Sequence, residues 1–158
     1  MINGFILCIS FNFLSISNSI DINPSGLSTL CENANYLNQM YNEYGIDPFI
    51  YSSLIYYESR WQPNLKSHAG ACGLSQVLHK YVKGISCKDL FDPKTSILYG
   101  AKNLSYWKKY KKDSISKALK CYSTGYKCSY SSYSKRIIKL SKLIKNQYNI
   151  IKRKIKNG

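Results

Sequence analysis

The chain has 158 residues, 44% of them hydrophobic and 14% aromatic, which fits one domain with an ordinary core and excludes a disordered chain. Its 23 basic residues against 8 acidic ones give a net charge of +15, which favours an anionic partner such as a nucleic acid, an acidic membrane surface or a cell-wall polymer. Only Arg60, Arg136 and Arg153 are arginines, the side chain suited to bidentate phosphate recognition, so a lysine-rich compositional bias explains the charge equally well.

Residues 1–19 predict a leader. The apolar run from Phe5 to Leu14 is too short for a membrane span, and Ser17 and Ser19 follow it as a small-x-small pair of the kind found at signal cleavage sites. Polar residues interrupt the run, and no Lys or Arg precedes it. We expect a signal peptide or a short N-terminal anchor, and an ordinary apolar segment is the alternative.

The cysteine content is typical of an exported, disulfide-bonded protein. The six cysteines are Cys8, Cys31, Cys72, Cys87, Cys121 and Cys128. Removal of the leader would take Cys8 with it and leave an odd number, which predicts two disulfides and one free thiol of open connectivity. No C-x-x-C pair occurs, and His68 and His79 lack zinc-finger spacing, so we expect surface histidines and no metal site.

Helical periodicity dominates the first half of the chain after the leader. Apolar residues recur with a period near 3.6 from Leu27 to Tyr44, and Gly45 ends that predicted helix. Asp47 and Pro48 then supply an N-cap and a first-turn proline for a second helix, which runs to about Arg60.

The second half of the chain predicts three more helices. One starts at Asp92-Pro93, one starts near Asp113 or Ser114 and ends at Gly125, and the last carries the basic C terminus. Asp92 and Asp113 are therefore predicted helix caps. Nothing predicts a strand with confidence, so the expected fold is all-α, with one domain over residues 27–140 and a basic helical tail over 141–158.

Glu58 is the candidate catalytic residue. Ile50, Leu54 and Glu58 have i, i+4, i+8 spacing and share one helix face, so the carboxyl leans over the edge of the core in the last turn. Burial and the helix dipole both raise the pKa of a carboxyl in that position. A carboxylic acid that keeps its proton near neutral pH serves as a general acid. The alternative is a surface glutamate beside packing tyrosines.

Four ordered segments carry a resemblance to a known family. They are Glu58-Ser59 followed by Pro63-Asn64 and by SHAGACGLSQV at 67–77, then LFDP at 90–93, GAKNL at 100–104, and ALKCYSTG at 118–125. Their order and separations resemble the soluble lytic transglycosylase (SLT) domain, over about residues 31–138. The resemblance implies an all-α, goose-type-lysozyme-like fold with a substrate cleft. The departures are Ser75 in place of Met, His79 in place of Pro and Ser123 in place of Asn.

The resemblance implies cleavage of peptidoglycan by a single carboxylate. Glu58 would protonate the oxygen between two wall sugars and then act as base while the C6 hydroxyl of the substrate attacks C1, which gives a 1,6-anhydro-muramyl product without water. It also implies that substrate-binding groups come from Ser59, Ser67, Gln76 and Tyr122. The expected partner is the glycan strand, with no nucleic acid, no cofactor and no metal, and with attraction to an anionic wall or membrane surface. The expected location is the periplasm or cell envelope, or a phage particle.

Two alternatives accompany this hypothesis. A goose-type hydrolase on the same fold would need a residue that positions water, and Asp89 is the first candidate. A non-catalytic module that holds anionic wall polymer through its lysines is the third hypothesis, and its affinity would collapse with salt.

Overall fold

The computed structural model describes residues 1–129 and 131–158, and this part of the chain is mainly helical, which confirms the all-α prediction. The helices are α1 (Gly4–Ile16), α2 (Pro24–Asn33), α3 (Tyr36–Tyr44), α4 (Pro48–Ser59), α5 (Pro93–Tyr110), α6 (Ile115–Thr124) and α7 (Ser131–Asn157). Single turns of 3-10 helix lie at His79–Tyr81, Asp89–Phe91 and Gly125–Lys127. Among the helices described, none is long and apolar enough to cross a bilayer.

Most of the predicted start and stop signals are confirmed. The Asp47 carboxylate accepts hydrogen bonds from the backbone N–H of Phe49 (2.9 Å) and of Ile50 (3.0 Å), as an N-cap does. Asp92 accepts from the Thr95 N–H at 2.8 Å at the start of α5, and Gly45 ends α3 with a φ of 64°.

Asp113 is not a helix cap, contrary to the prediction. The N-cap of α6 is Ser114, and Asp113 stands before it in the left-handed region with a φ of 60°. Asp113 therefore belongs to the turn between α5 and α6.

The predicted helix from Leu27 to Tyr44 is two helices. The break falls at Ala34 and Asn35, between α2 and α3. The Asn33 side chain donates to the Thr29 carbonyl at 2.9 Å, and the Asn35 side chain accepts from the Gly4 N–H at 3.0 Å. The Asn33 side chain thus competes with the helix ladder for a backbone carbonyl, and Asn35 is held by α1; periodicity alone reveals neither bond.

One short β-hairpin of the described chain was not predicted from the sequence. Strand β1 (Ala71–Cys72) pairs antiparallel with β2 (Val77–Leu78), in the register Ala71 to Leu78 and Cys72 to Val77. With two residues a strand, the alternation of apolar and polar side chains is too short to be detected.

Helix α4 lies at the centre of the core. Tyr51, Leu54 and Ile55 are fully buried, and the remaining residues of α4 are buried or partly buried. The reason is that the α4 sequence is apolar or small on nearly all sides of the helix. Helix α7 runs along it in the opposite direction: Tyr148 contacts Phe49 at the start of α4, with ring centroids 5.2 Å apart. This pairing brings the first turn of α7 to the end of α4, where Glu58 lies.

Helix α1 packs into the same core. Leu7 and Phe11 are fully buried, the Asn3 N–H donates to the Tyr148 hydroxyl at 2.7 Å, and α1 contacts α2 and α7. A disulfide also joins Cys8 to Cys31 on α2. In this structure the apolar run is a core helix, and its removal as a signal peptide stays a prediction.

All six cysteines of the full chain are paired. The expectation of two disulfides and one free thiol applies to a chain that has lost Cys8, and it stays a prediction. The bridges are Cys8–Cys31, Cys72–Cys87 and Cys121–Cys128. Because Cys8 is paired with Cys31, removal of the leader would leave Cys31 as the free thiol.

The packed core extends beyond the predicted limits of 27–140. It includes α1 before that segment, and Ile144 and Tyr148 of α7 are buried after it. The 27–140 boundary therefore marks a proposed catalytic segment within a larger packed unit.

The full chain, folded under oxidising conditions, is expected to show no free thiol when titrated in denaturant without reductant. Cys8→Ser should expose one thiol, at Cys31, and lower the free energy of unfolding by about 3 kcal/mol, the cost of losing a bridge over a loop of this length. Any free thiol in the unmutated full chain would contradict the pairing of all six cysteines.

Candidate active site

Glu58 is partly buried in the last turn of α4, where the Tyr133 hydroxyl of α7 donates a hydrogen bond to its carboxylate. The pKa of Glu58 is raised from 4.5 to about 7. Burial is the dominant cause, because it penalises the charged form, and the bond from Tyr133 works in the opposite direction. Glu58 is thus a carboxylic acid with substantial populations of both protonation states near neutral pH.

Tyr133 is a residue of the candidate site that was not predicted from the sequence. It is 8% exposed, and burial together with the Glu58 charge raises its own pKa well above 10, so it stays a neutral hydroxyl donor. In the sequence it stands on the apolar stripe that continues through Ile137 and Leu140, which predicts only a core position. The bond to Glu58 spans 75 residues, and no local pattern signals it.

Tyr122 lies in the same neighbourhood as Glu58 and Tyr133. Its hydroxyl donates to the Ser75 carbonyl at 2.7 Å. Burial first, then the charges of Tyr51 and Glu58, raise its pKa well above 10. The structure therefore brings together a carboxyl from α4 and hydroxyls from α6 and α7.

A buried polar network supports the loop beside the site. The Tyr51 hydroxyl donates its single proton to the Ile97 carbonyl, so Ser75 Oγ is the donor in its 3.1 Å bond to Tyr51. The Ser75 N–H donates to Ser96 Oγ at 3.0 Å. A Cβ at Gly100 would lie 2.5 Å from the Tyr51 hydroxyl oxygen, so no larger residue fits there. Ser75, a departure from the family pattern, is thus fully buried and bonded on two sides.

Ser67 and Gln76 hold the loop that follows α4. Ser67 Oγ accepts from the Ala71 N–H at 3.0 Å, and Gln76 Nε2 donates to the carbonyls of Leu65 (3.1 Å) and Gly73 (2.9 Å). Both side chains are only partly buried, so they are within reach of solvent. Their predicted sugar contacts stay predictions.

Ser59 points into the core. It is 2% exposed, and its hydroxyl donates to the Ile55 carbonyl at 3.3 Å within α4. A contact from Ser59 to a sugar stays a prediction, and it would require this side chain to leave its present position.

Two other carboxylates near the family motifs have local partners. Asp89 is exposed and accepts from the Ser86 N–H at 2.8 Å and the Ser86 hydroxyl at 2.6 Å, and these bonds lower its pKa. Asp92 caps α5. Asp89 is thus an ionised turn residue, and Glu58 alone combines burial with a raised pKa among the carboxyls whose shift is resolved.

His79 lies beside the Cys72–Cys87 bridge, with Nδ1 4.0 Å from Cys72 Sγ. The three side chains are close enough to hold a metal ion, but the disulfide occupies both sulfurs. In the oxidised protein a single imidazole remains as a ligand, which is too few for a stable site.

The sequence of this chain is similar to those of known proteins. The family model described as the transglycosylase SLT domain matches residues 35–142, more than half of the chain. A curated relative, the membrane-bound lytic murein transglycosylase F of Pseudomonas fluorescens (strain Pf0-1), is 34% identical over 70 residues. The match covers 44% of this chain but only 14% of that relative. No solved structure matches.

Glu58→Gln is expected to stabilise the protein at high pH. In the unmutated chain the unfolded state loses the Glu58 proton near pH 4.5 and the folded state near pH 7, so stability falls as the pH rises between these values. The variant lacks this loss. Its free energy of unfolding relative to that of the unmutated chain should therefore be higher at about pH 8 than at about pH 4, by up to about 3 kcal/mol. Urea unfolding at both pH values measures the effect.

Glu32→Gln is the matched control for that experiment, since it removes the same charge from an exposed position on α2. An equal pH effect in both variants would contradict the burial of Glu58.

Tyr133→Phe is expected to raise the pKa of Glu58 further. The hydroxyl bond favours the ionised carboxylate, so its loss leaves burial unopposed. The measurement is a carbon-13 NMR titration of the glutamate carboxyls, assigned with Glu58→Gln. Tyr57→Phe removes the neighbouring hydroxyl on α4 and leaves the Tyr133 bond in place. A Glu58 pKa that stays constant or falls in Tyr133→Phe would refute the arrangement.

Proposed function

Because the chain belongs to the transglycosylase SLT domain family, we propose that it is a peptidoglycan lytic transglycosylase that cleaves the β-1,4 bond between MurNAc and GlcNAc. The observation that carries the proposal is the partly buried Glu58, with a pKa of about 7 and a hydrogen bond from Tyr133. A carboxyl poised near the ambient pH gives and takes a proton with similar ease, as a single acid-then-base residue must.

In the proposed reaction the Glu58 carboxyl donates its proton to the glycosidic oxygen, and the bond from that oxygen to C1 breaks. The sugar C6 hydroxyl then attacks C1 and gives its proton to the Glu58 carboxylate. The product is a 1,6-anhydro-muramyl end, no water is consumed, and Glu58 is protonated again. No metal or organic cofactor enters these steps.

Tyr133 and Tyr122 have different proposed roles. Tyr133 stabilises the carboxylate that remains after the first proton transfer, because its hydroxyl already donates to Glu58. Tyr122 is held by the Ser75 carbonyl and belongs to the proposed sugar-binding surface. Ser67 and Gln76 contribute to the same surface from the loop after α4, and Ser59 stays a proposed contact.

The location of Asp89 favours this mechanism over the goose-type hydrolase. A hydrolase on this fold needs a residue to position water, and the carboxylate of Asp89 is engaged by Ser86 in an exposed turn. The buried acid likewise argues against the non-catalytic binder, because a module that only holds anionic polymer gains nothing from a carboxyl with a raised pKa.

The disulfides support an exported protein of the cell envelope or periplasm, or one associated with a phage particle. Three bridges need an oxidising compartment. Phe5, Phe13 and Ile16 form an exposed apolar stripe on α1, which supports the anchor form of the leader. The net charge of +15 would speed encounter with anionic wall polymer, an effect that weakens with ionic strength.

Digestion of purified sacculi followed by mass spectrometry tests the reaction. The unmutated protein should release anhydro-muropeptides, and Glu58→Gln should reduce their release by about a hundredfold or more, as expected for loss of a general acid. Glu32→Gln should retain activity. Products heavier by one water would establish the hydrolase, and full activity of Glu58→Gln would rule out the proposed acid.

A further inference from the structure

Four aromatic side chains form a surface cluster at the end of α5. This aromatic patch consists of Tyr106, Trp107 and Tyr110 of α5 and Tyr126 of the turn after α6. The three tyrosines are 49%, 50% and 67% exposed, whereas Trp107 is 7% exposed and lies beneath them. Contiguous exposed aromatic surface of this kind is typical of a binding site.

The aromatic patch is held together by its own contacts. The Trp107 ring lies 5.0 Å from Tyr106, 5.8 Å from Tyr110 and 5.0 Å from Tyr126, in edge-to-face geometry. The hydroxyls of Tyr106 and Tyr126 are hydrogen-bonded at 2.7 Å. The Cys121–Cys128 bridge closes the turn that carries Tyr126. A ligand would therefore meet preformed rings and would pay little to order them.

The chemistry of the aromatic patch suits a sugar chain. The rings of Tyr106 and Tyr110 are stacked, with centroids 6.3 Å apart and planes 8° apart, and each tyrosine adds a hydroxyl at its exposed ring edge. A pyranose offers C–H groups on its face and hydroxyls on its rim, which match a ring face and a phenol.

Lys111 contacts the aromatic patch, and further lysines neighbour it in the sequence. Lys111 Nζ lies 4.7 Å from the centroid of the Tyr110 ring, and Lys109, Lys112 and Lys127 are exposed nearby in the sequence. From residue 106 to 128 the chain has seven lysines and one carboxylate, Asp113. This charge complements a glycan whose peptide side chains end in carboxylates.

We propose that the aromatic patch is an accessory binding surface for the glycan strand of peptidoglycan, separate from the groups around Glu58. This inference rests on the proposed function for the identity of the glycan. Tyr126 of the patch lies four residues after Tyr122, so a strand held there stays tethered to the molecule between cleavage events.

Sedimentation with purified sacculi tests the proposal in the Glu58→Gln background, in which binding is measured without cleavage. Tyr110→Ala combined with Tyr126→Ala should weaken binding about tenfold, as loss of two stacking rings predicts. The loss should persist at about 0.5 M salt, where exposed charges are screened. Tyr41→Ala is the matched control, because Tyr41 on α3 is 51% exposed and lies outside the patch. Thermal unfolding checks that each variant is folded.

A second pair of variants separates sugar stacking from general apolar contact. Tyr110→Trp should bind as the parent does, and Tyr110→Leu should bind as weakly as Tyr110→Ala. The proposal is overturned if the double alanine variant binds normally, if its defect disappears at high salt, or if leucine restores binding as well as tryptophan. Because cleavage is absent from this assay, a failure of the Glu58 chemistry would appear only in the product analysis.

Discussion

The hydrogen bond between the Tyr133 hydroxyl and the Glu58 carboxylate is the interaction on which the rest of the site depends. It requires α7 to run along α4 in the opposite direction, with Tyr148 against Phe49 at one end and Tyr133 against Glu58 at the other. Without Tyr133, the carboxylate that forms when Glu58 loses its proton would lack this stabilising hydrogen bond in a partly buried position. The helix packing thus determines the acidity of the site.

The second constraint is the position of the loop beside Glu58. Tyr51 in the first turn of α4 and Ser96 on α5 both bond Ser75, and Tyr122 of α6 bonds the Ser75 carbonyl. Three helices therefore converge on one buried serine. The bridge from Cys72 to Cys87 ties the same hairpin to the segment before α5. A loop held from so many sides keeps its polar groups in place, which a proton-transfer site requires.

Local features of the fold could be predicted from the sequence, and features that depend on distant contacts could not. The Asp47-Pro48 start of α4 and the Gly45 end of α3 are confirmed because caps involve only neighbouring residues. Glu58 was found through its motif and helix position. Tyr133 was missed because its partner is 75 residues away. The Cys8 bridge was missed because the leader hypothesis removed that cysteine.

The same bond accounts for how one carboxyl serves both halves of the proposed reaction. A hydroxyl donates more strongly to a carboxylate than to a neutral carboxyl, so the Tyr133 bond strengthens as Glu58 loses its proton. Burial acts in the opposite sense and is the larger effect, which leaves the pKa near 7. An interaction that grows as charge develops lowers the barrier to the first proton transfer, from Glu58 to the glycosidic oxygen, whereas uniform stabilisation of both states does not. Tyr133 therefore stabilises the developing carboxylate without cancelling the effect of burial. Glu58 keeps a raised pKa and can still donate its proton.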